Sequence, residues 1–177
     1  PIVSVSTGEK AQNRTYQDLL KSPDDEYNFE QLTHSELHKV DLEGNKDLWL
    51  PAAMYYGMSF SPDGDYVLVS QIKRPFSYLV PYYRFPSETT VYDKNGNKVQ
   101  RVNEVPLTEV LPQGFDAVRT GKREMGWRAD KPATLYWVEA LDEGDPAVEV
   151  EYRDEVFELD APFDGEKKSL MKTINRF

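Results

Sequence analysis

Between Ile72 and Pro86 the chain gathers five aromatic rings and two guanidinium groups around three prolines. Of these, Arg74, Tyr78, Tyr82, Tyr83 and Arg84 are the side chains best suited to recognition chemistry. Planar guanidinium donors grip carboxylates in pairs of hydrogen bonds, and tyrosines offer large contact area at small entropic cost. Each proline fixes its own φ and holds the residue before it extended, so the segment is expected to be a rigid irregular excursion rather than a mobile lid. The plainer reading is burial, in which the rings cover the apolar edge of a sheet and leave both arginines in solvent or stacked on rings.

Other constellations carry less. Gly57-Met58-Ser59-Phe60-Ser61 approaches the Gly-x-Ser-x-Gly elbow that strains a serine nucleophile between a strand and a helix, but it lacks the final glycine and runs into a β-turn. A serine triad also needs a histidine, and the chain has only His34 and His38. His34, Glu36 and His38 alternate, which in a strand would put two imidazoles and a carboxylate on one face, a zinc-like set; the plainer reading is a solvated strand face. Asp63-Gly64-Asp65 has too few ligands for a calcium loop and reads as a turn, and acidic stretches such as 142–145 and 149–155 read as exposed hairpin loops and polar strand faces. No catalytic residue, metal or cofactor is assigned.

The chain has 21 basic and 31 acidic side chains, a net charge of −10, which repels nucleic-acid backbones and anionic membrane surfaces. No run approaches the roughly 18 apolar residues that span a bilayer. With no cysteine there is no disulfide or thiol nucleophile, which suits a cytoplasmic, a periplasmic or a secreted protein alike.

The elements that must position the excursion show themselves as repeats. Twice an aromatic residue enters an Asp-centred turn and leaves on an apolar run: Phe60-Ser61-Pro62-Asp63-Gly64-Asp65-Tyr66-Val67-Leu68-Val69, and Trp127-Arg128-Ala129-Asp130-Lys131-Pro132-Ala133-Thr134-Leu135-Tyr136-Trp137-Val138. A second repeat runs through β-formers into Asp41, Asp93 and Asp160, each followed by a turn; at the middle copy Asn95-Gly96 predicts a type I′ hairpin. One hairpin cannot bury its own apolar face, so repetition predicts small sheets packed on one another, as in a β-propeller. Spacings beyond the roughly 40 to 50 residues of an undecorated blade imply insertions, foremost at 72–86. Closing a propeller needs at least four blades, so 177 residues hold only part of one, and Pro1 in place of Met suggests a processed or excised piece.

Taken together, Arg74-Pro75-Phe76-Ser77-Tyr78-Leu79-Val80-Pro81 with Arg84-Phe85-Pro86, Gly114-Phe115-Asp116-Ala117-Val118-Arg119-Thr120-Gly121, and Trp127-Arg128-Ala129-Asp130 with Thr134-Leu135-Tyr136-Trp137-Val138-Glu139-Ala140 resemble the N-terminal propeller region of the prolyl oligopeptidase family, on its glutamyl endopeptidase branch. The resemblance spans roughly Arg14 to Asp160. It implies a propeller stacked on a C-terminal α/β-hydrolase domain that cleaves peptides with a Ser, Asp and His triad. None of that triad maps onto these positions. In that setting Arg74, Tyr78, Tyr82, Tyr83 and Arg84 become candidate substrate-binding residues, and the chain a non-catalytic propeller piece controlling substrate access and selection. A non-enzymatic propeller scaffold for protein–protein interaction is the alternative.

The expected fold is mainly β, a partial β-propeller of two to three antiparallel blades with at least eight strands. A lead-in and short helical arm over 1–34 precede the propeller part over 35–177. Thr15 is expected to cap a helix closed by Ser22-Pro23, with a helix or loop over Asp24–Leu32. Tyr66, Leu68, Leu135, Trp137 and Val138 should be buried, since apolar runs bounded by turns mark strands covered on both faces. Expected partners are a peptide substrate and the hydrolase domain of the same parent chain, with self-association of the piece through uncovered sheet faces.

Overall fold

The computed structural model describes residues 16–177. The lead-in over Pro1–Asn13 and the cap at Thr15 therefore lie outside the described residues. The described chain is mainly β, with ten strands in three antiparallel sheets and one α-helix. β1 (Ser35–Val40) and β2 (Lys46–Ala53) form a hairpin. β3 (Tyr55–Phe60), β4 (Tyr66–Ile72), β5 (Ser87–Asp93) and β6 (Lys98–Val105) form one four-stranded meander. β7 (Arg123–Trp127), β8 (Thr134–Ala140), β9 (Asp154–Asp160) and β10 (Lys168–Thr173) form another.

The two aromatic-Asp repeats are the β3–β4 and β7–β8 hairpins. In the first, Ser61 N donates to Tyr66 O and Gly64 N to Ser61 O. The Asp63 carboxylate accepts from Ser61 Oγ at 2.6 Å and from Asp65 N at 3.1 Å, and the Ser61 hydroxyl foremost holds that carboxyl below its ordinary range. In the second, Arg128 N donates to Thr134 O at 2.8 Å. The equivalent turns touch: Asp63 N donates to Pro132 O at 3.1 Å, and Trp127 Nε1 to Ser59 O at 3.1 Å.

The Asp repeats share a geometry that differs from the expected type I′ turn. At Asp93 the backbone bond runs from Gly96 N to Asp93 O, and only Gly96 has a positive φ, 85°, so the loop is a type I turn followed by a left-handed glycine. Asp93 selects it, because its carboxylate accepts from the backbone N–H groups of Asn95 and Asn97 and from Asn97 Nδ2. Asp41, Gly44 and Asn45 repeat the arrangement. Gly96 has a second constraint, since a Cβ there would meet Trp49 O of β2 at 2.6 Å. In the third copy Phe163 takes the left-handed place, with φ 71°, and drives its ring into the core.

Leu68, Val91 and Val102 of the first meander pack with Ala133, Leu135, Trp137, Phe157, Leu159 and Phe163 of the second. On the opposite face Val67 and Val69 pack with Leu50 of β2. β4 is thus covered on both sides, as its unbroken apolar run requires; each such buried aliphatic side chain contributes about 1.5–3 kcal/mol. Leu68, Leu135, Trp137 and Val138 are buried as expected, whereas Tyr66 is half-buried, its ring edge-on to Phe163 at 5.2 Å.

The expected helix ending at Ser22-Pro23 is not present over its described residues; α1, the one α-helix among the described residues, begins there instead and runs Pro23–Thr33. Proline forces Ser22 into extended backbone, φ −151° and ψ 163°, and then sits where a missing N–H costs nothing. Ser22 Oγ accepts from Asp25 N at 3.2 Å, and Asp24, Asp25 and Glu26 complement the positive end of the helix dipole. Ser22-Pro23-Asp24-Asp25 is therefore a start signal.

Candidate functional site

The excursion leaves β4 at Ile72 and rejoins the sheet at Ser87, its neck closed by Lys73 N donating to Pro86 O at 2.7 Å. A single 3-10 turn, Tyr82–Arg84, interrupts its irregular path. Burial divides its side chains. Phe76, Val80 and Phe85 point inward with Met54 and Ile72, and Phe29 of α1 packs edge-on against both phenylalanines at 5.2 and 5.8 Å. Tyr78, Leu79, Tyr82 and Tyr83 stay exposed, the last two at 54% and 67% of their full area.

The two arginines sit in unlike surroundings. Arg74 stacks over Phe76, 4.5 Å from the ring centre, and its fork is engaged by α1: Nη2 donates to Glu30 Oε2 at 2.6 Å and Nη1 to Glu26 Oε2 at 3.0 Å. That pairing raises the guanidinium pKa and holds the Glu30 carboxyl below its usual range. A hydrogen bond to Glu26 raises the Tyr78 phenol in turn. Arg84 is 9% exposed, with its Cζ 5.3 Å from the Tyr16 ring. Among the described residues it forms no ion pair, and its buried Nη1 and the buried Tyr16 hydroxyl have no hydrogen-bond partner. A buried cation without an acceptor is costly, and such groups concentrate at functional sites.

The histidines do not converge. His34 caps the end of α1 with Nδ1 2.6 Å from Glu30 O, and His38 Nε2 lies 2.9 Å from Glu36 on an exposed face. Ser59 lies on the exposed face of β3. Among the described residues no group of three His, Asp or Glu side chains is placed to hold a metal.

Two acidic residues read as belonging to exposed stretches, Asp142 and Asp154, are fully buried. Asp154 accepts from Arg123 Nη2 and Arg176 Nη1, both at 2.7 Å, and from Phe177 N at 2.8 Å. Asp142 accepts from Arg176 Nη2 at 2.6 Å, Arg153 Nη1 at 2.8 Å and Gly144 N at 3.0 Å. Burial pushes the Asp142 carboxyl up, but the Arg176 and Arg153 hydrogen bonds outweigh it and leave the group below its ordinary range. The signal available beforehand was Arg153-Asp154, a charged pair with only Glu155 between it and the apolar Val156-Phe157 of β9.

Over 175 residues, 98% of its length, the chain is 39% identical to a protein of Oryza sativa subsp. japonica named probable glutamyl endopeptidase, chloroplastic, and 38% identical to one of the same name from Arabidopsis thaliana. The chain is similar to both of these proteins over nearly its whole length. It spans about a fifth of their length, 19% and 18% respectively. No family model matches it, and no solved structure matches it.

Proposed function

We propose that this chain is part of the β-propeller of a serine peptidase of the prolyl oligopeptidase type. Each four-stranded meander is one blade of the propeller part over 35–177, and the β1–β2 hairpin belongs to a third. Hydrolysis is carried out by an α/β-hydrolase domain of the same protein, and this chain walls the route by which peptides reach it. The likeness to two proteins named glutamyl endopeptidase, over nearly the whole chain, supports the peptidase reading. The paired equivalent turns of the two meanders support the propeller.

Within that wall the excursion is the substrate-facing surface. Tyr78, Tyr82 and Tyr83 supply contact area, Arg74 braces α1, and Arg84 supplies the charge for a carboxylate. The observation that carries this assignment is the buried Arg84 Nη1 with no acceptor among the described residues, in the same excursion as an exposed pair of tyrosines. A substrate carboxylate would supply the missing acceptor once the cover over this buried atom opens to it.

In the full-length peptidase, Arg84→Met should lower kcat/KM for acidic peptides by one to two decades, the equivalent of about 1.5–3 kcal/mol, and leave neutral peptides nearly unchanged. Because the charge forms no ion pair among the described residues, the substitution should not lower the melting temperature. Equal losses for both peptides with a parallel loss of stability would make Arg84 a structural brace. Exposed Leu79, Tyr82 and Tyr83 also suit a protein partner. An unchanged peptide profile in a Tyr82→Ala/Tyr83→Ala variant that has lost a bound protein would favour that scaffold reading.

A further inference from the structure

Residues 16–33, which end in α1, lie across the excursion. Tyr16, Leu20 and Phe29 pack on its inward side chains, among them Phe76, Val80 and Phe85. The Tyr16 ring faces the Arg84 guanidinium, whose Cζ is 5.3 Å from the ring centre. What lies beneath is hidden: Val80, Phe85 and Arg84 keep 2%, 3% and 9% of their area. The covering segment is not hidden in turn, for none of residues 16–33 is buried.

A layer that covers others without being covered is held from one side alone. Several of its hydrogen bonds turn inward: Lys21 N donates to Asp25, Asp25 N to Ser22 Oγ, and Thr33 Oγ1 to Phe29 O. The ion pairs that cross to the excursion run from Arg74 to Glu26 and Glu30, with Arg74 half exposed. Exposed ion pairs are weak and are screened by salt. β4 is fixed quite differently, bonded to a strand on each side and packed on both faces. Local opening takes first the elements with the fewest buried contacts, so residues 16–33 open before β4 does. Closure also strands two polar groups, since the buried Arg84 Nη1 and Tyr16 hydroxyl have no hydrogen-bond partner among the described residues. Opening hydrates both, which brings the open state nearer in free energy than the packing alone would place it.

We propose that residues 16–33 are a hinged cover over Arg84, which opens at His34 and sets the access of a carboxylate-bearing ligand to that guanidinium. At His34 α1 ends and the backbone turns extended, φ −65° and ψ 128°, directly before β1. The latch is the grip of Glu26 and Glu30 on Arg74. The two arginines of the excursion then have separate tasks, Arg74 holding the cover and Arg84 lying beneath it. What the cover regulates rests on the reading of Arg84 as the carboxylate site; the cover itself does not.

The test labels the full-length protein with phenylglyoxal, which condenses with accessible guanidinium groups, and follows each arginine by peptide mass spectrometry. Arg84 should react slowly, in proportion to its open fraction, while half-exposed Arg101 reacts fast. Glu26→Ala combined with Glu30→Ala removes the latch while keeping a good helix former at both positions, and should speed Arg84 about three- to tenfold. Raising sodium chloride from about 0.1 M to about 1 M should also speed it in the unaltered protein, and decides the matter if the variant does not fold. Arg123, buried against Asp154, should change in neither case. The same double variant should lower KM for acidic peptides by the factor seen in labelling and leave neutral peptides unchanged. An Arg84 as reactive as Arg101 from the outset, one indifferent to both latch and salt, or one that speeds only together with Arg123 would overturn the cover. Faster labelling with an unchanged KM for acidic peptides, in a protein whose Arg84→Met variant does lose their cleavage, would overturn the gate. An Arg84→Met protein that cleaves acidic peptides normally would remove the ligand and the gate with it, while the labelling still decides the cover.

Discussion

Asp154→Ala is the perturbation whose cost the structure sets most sharply. The carboxylate is fully buried and accepts three hydrogen bonds, from Arg123 Nη2, Arg176 Nη1 and Phe177 N, all within 2.8 Å. Removing it leaves Arg123 Nη2 and Phe177 N without an acceptor and Arg176 Nη1 with Arg153 O alone, around an Arg123 whose buried Nε already has none. Breaking a buried ion pair from one side costs about 3–5 kcal/mol, against about 5–15 kcal/mol for the stability of a whole domain. Urea unfolding followed by circular dichroism should therefore show a lower midpoint with an unchanged slope. Asp130→Ala, which removes an exposed partner of Arg128, should barely move it. Arg123→Met combined with Asp154→Leu should recover part of the loss, because an apolar pair leaves fewer charges stranded. An Asp154→Ala midpoint indistinguishable from that of Asp130→Ala would refute the reasoning.

Three further outcomes follow. The Asp160 carboxyl is depressed to about 2, chiefly by the hydrogen bond from Lys168 and then by that from Thr134, and Glu158, Glu139 and Asp142 are also lowered. A depressed acid stabilises the fold above its unfolded value of about 4 and ceases to do so as pH falls through the folded value, so melting temperatures should drop steadily between about pH 4.5 and 2; a flat profile there would contradict this. Arg74→Ala should loosen α1, seen as faster amide exchange over Pro23–Thr33 while β8 and β9 stay protected, and uniform exchange would show that the Glu26 and Glu30 contacts hold nothing. The isolated chain should self-associate through β3, an edge strand with Tyr56, Met58 and Phe60 exposed, and a clean monomer by light scattering would count against that.

What could be read from the sequence was whatever local chemistry dictates. Asp-centred turns at Asp63 and Asp130 and the apolar run of β4 each specify their own geometry, so the hairpins and the doubly covered strand were legible. The Asp93 turn was legible as a hairpin but not in type, because the Asp93 and Asn97 side chains, rather than the Asn95-Gly96 pair, fix the loop. Ser22-Pro23 is ambiguous in isolation, since proline both ends helices and begins them; the acidic turn after it decides. The burial of Asp142 and Asp154 depends on arginines up to thirty-four residues away, which no local pattern reveals. The excursion was legible as a unit, yet the contrast between Arg74, spent on α1, and Arg84, on the Tyr16 ring with no ion pair among the described residues, depends on where Tyr16, Glu26 and Glu30 fold back upon it.

In the proposed peptidase the excursion meets the substrate and Arg84 supplies the charge. A crystal structure of the full-length protein, with the nucleophile of its proposed hydrolase domain replaced and an acidic peptide bound, tests it most directly. A peptide carboxylate oxygen is expected within about 3 Å of Arg84 Nη1, and peptide atoms against the Tyr82 and Tyr83 rings. A bound peptide that leaves Arg84 without an acceptor and touches neither tyrosine would contradict it.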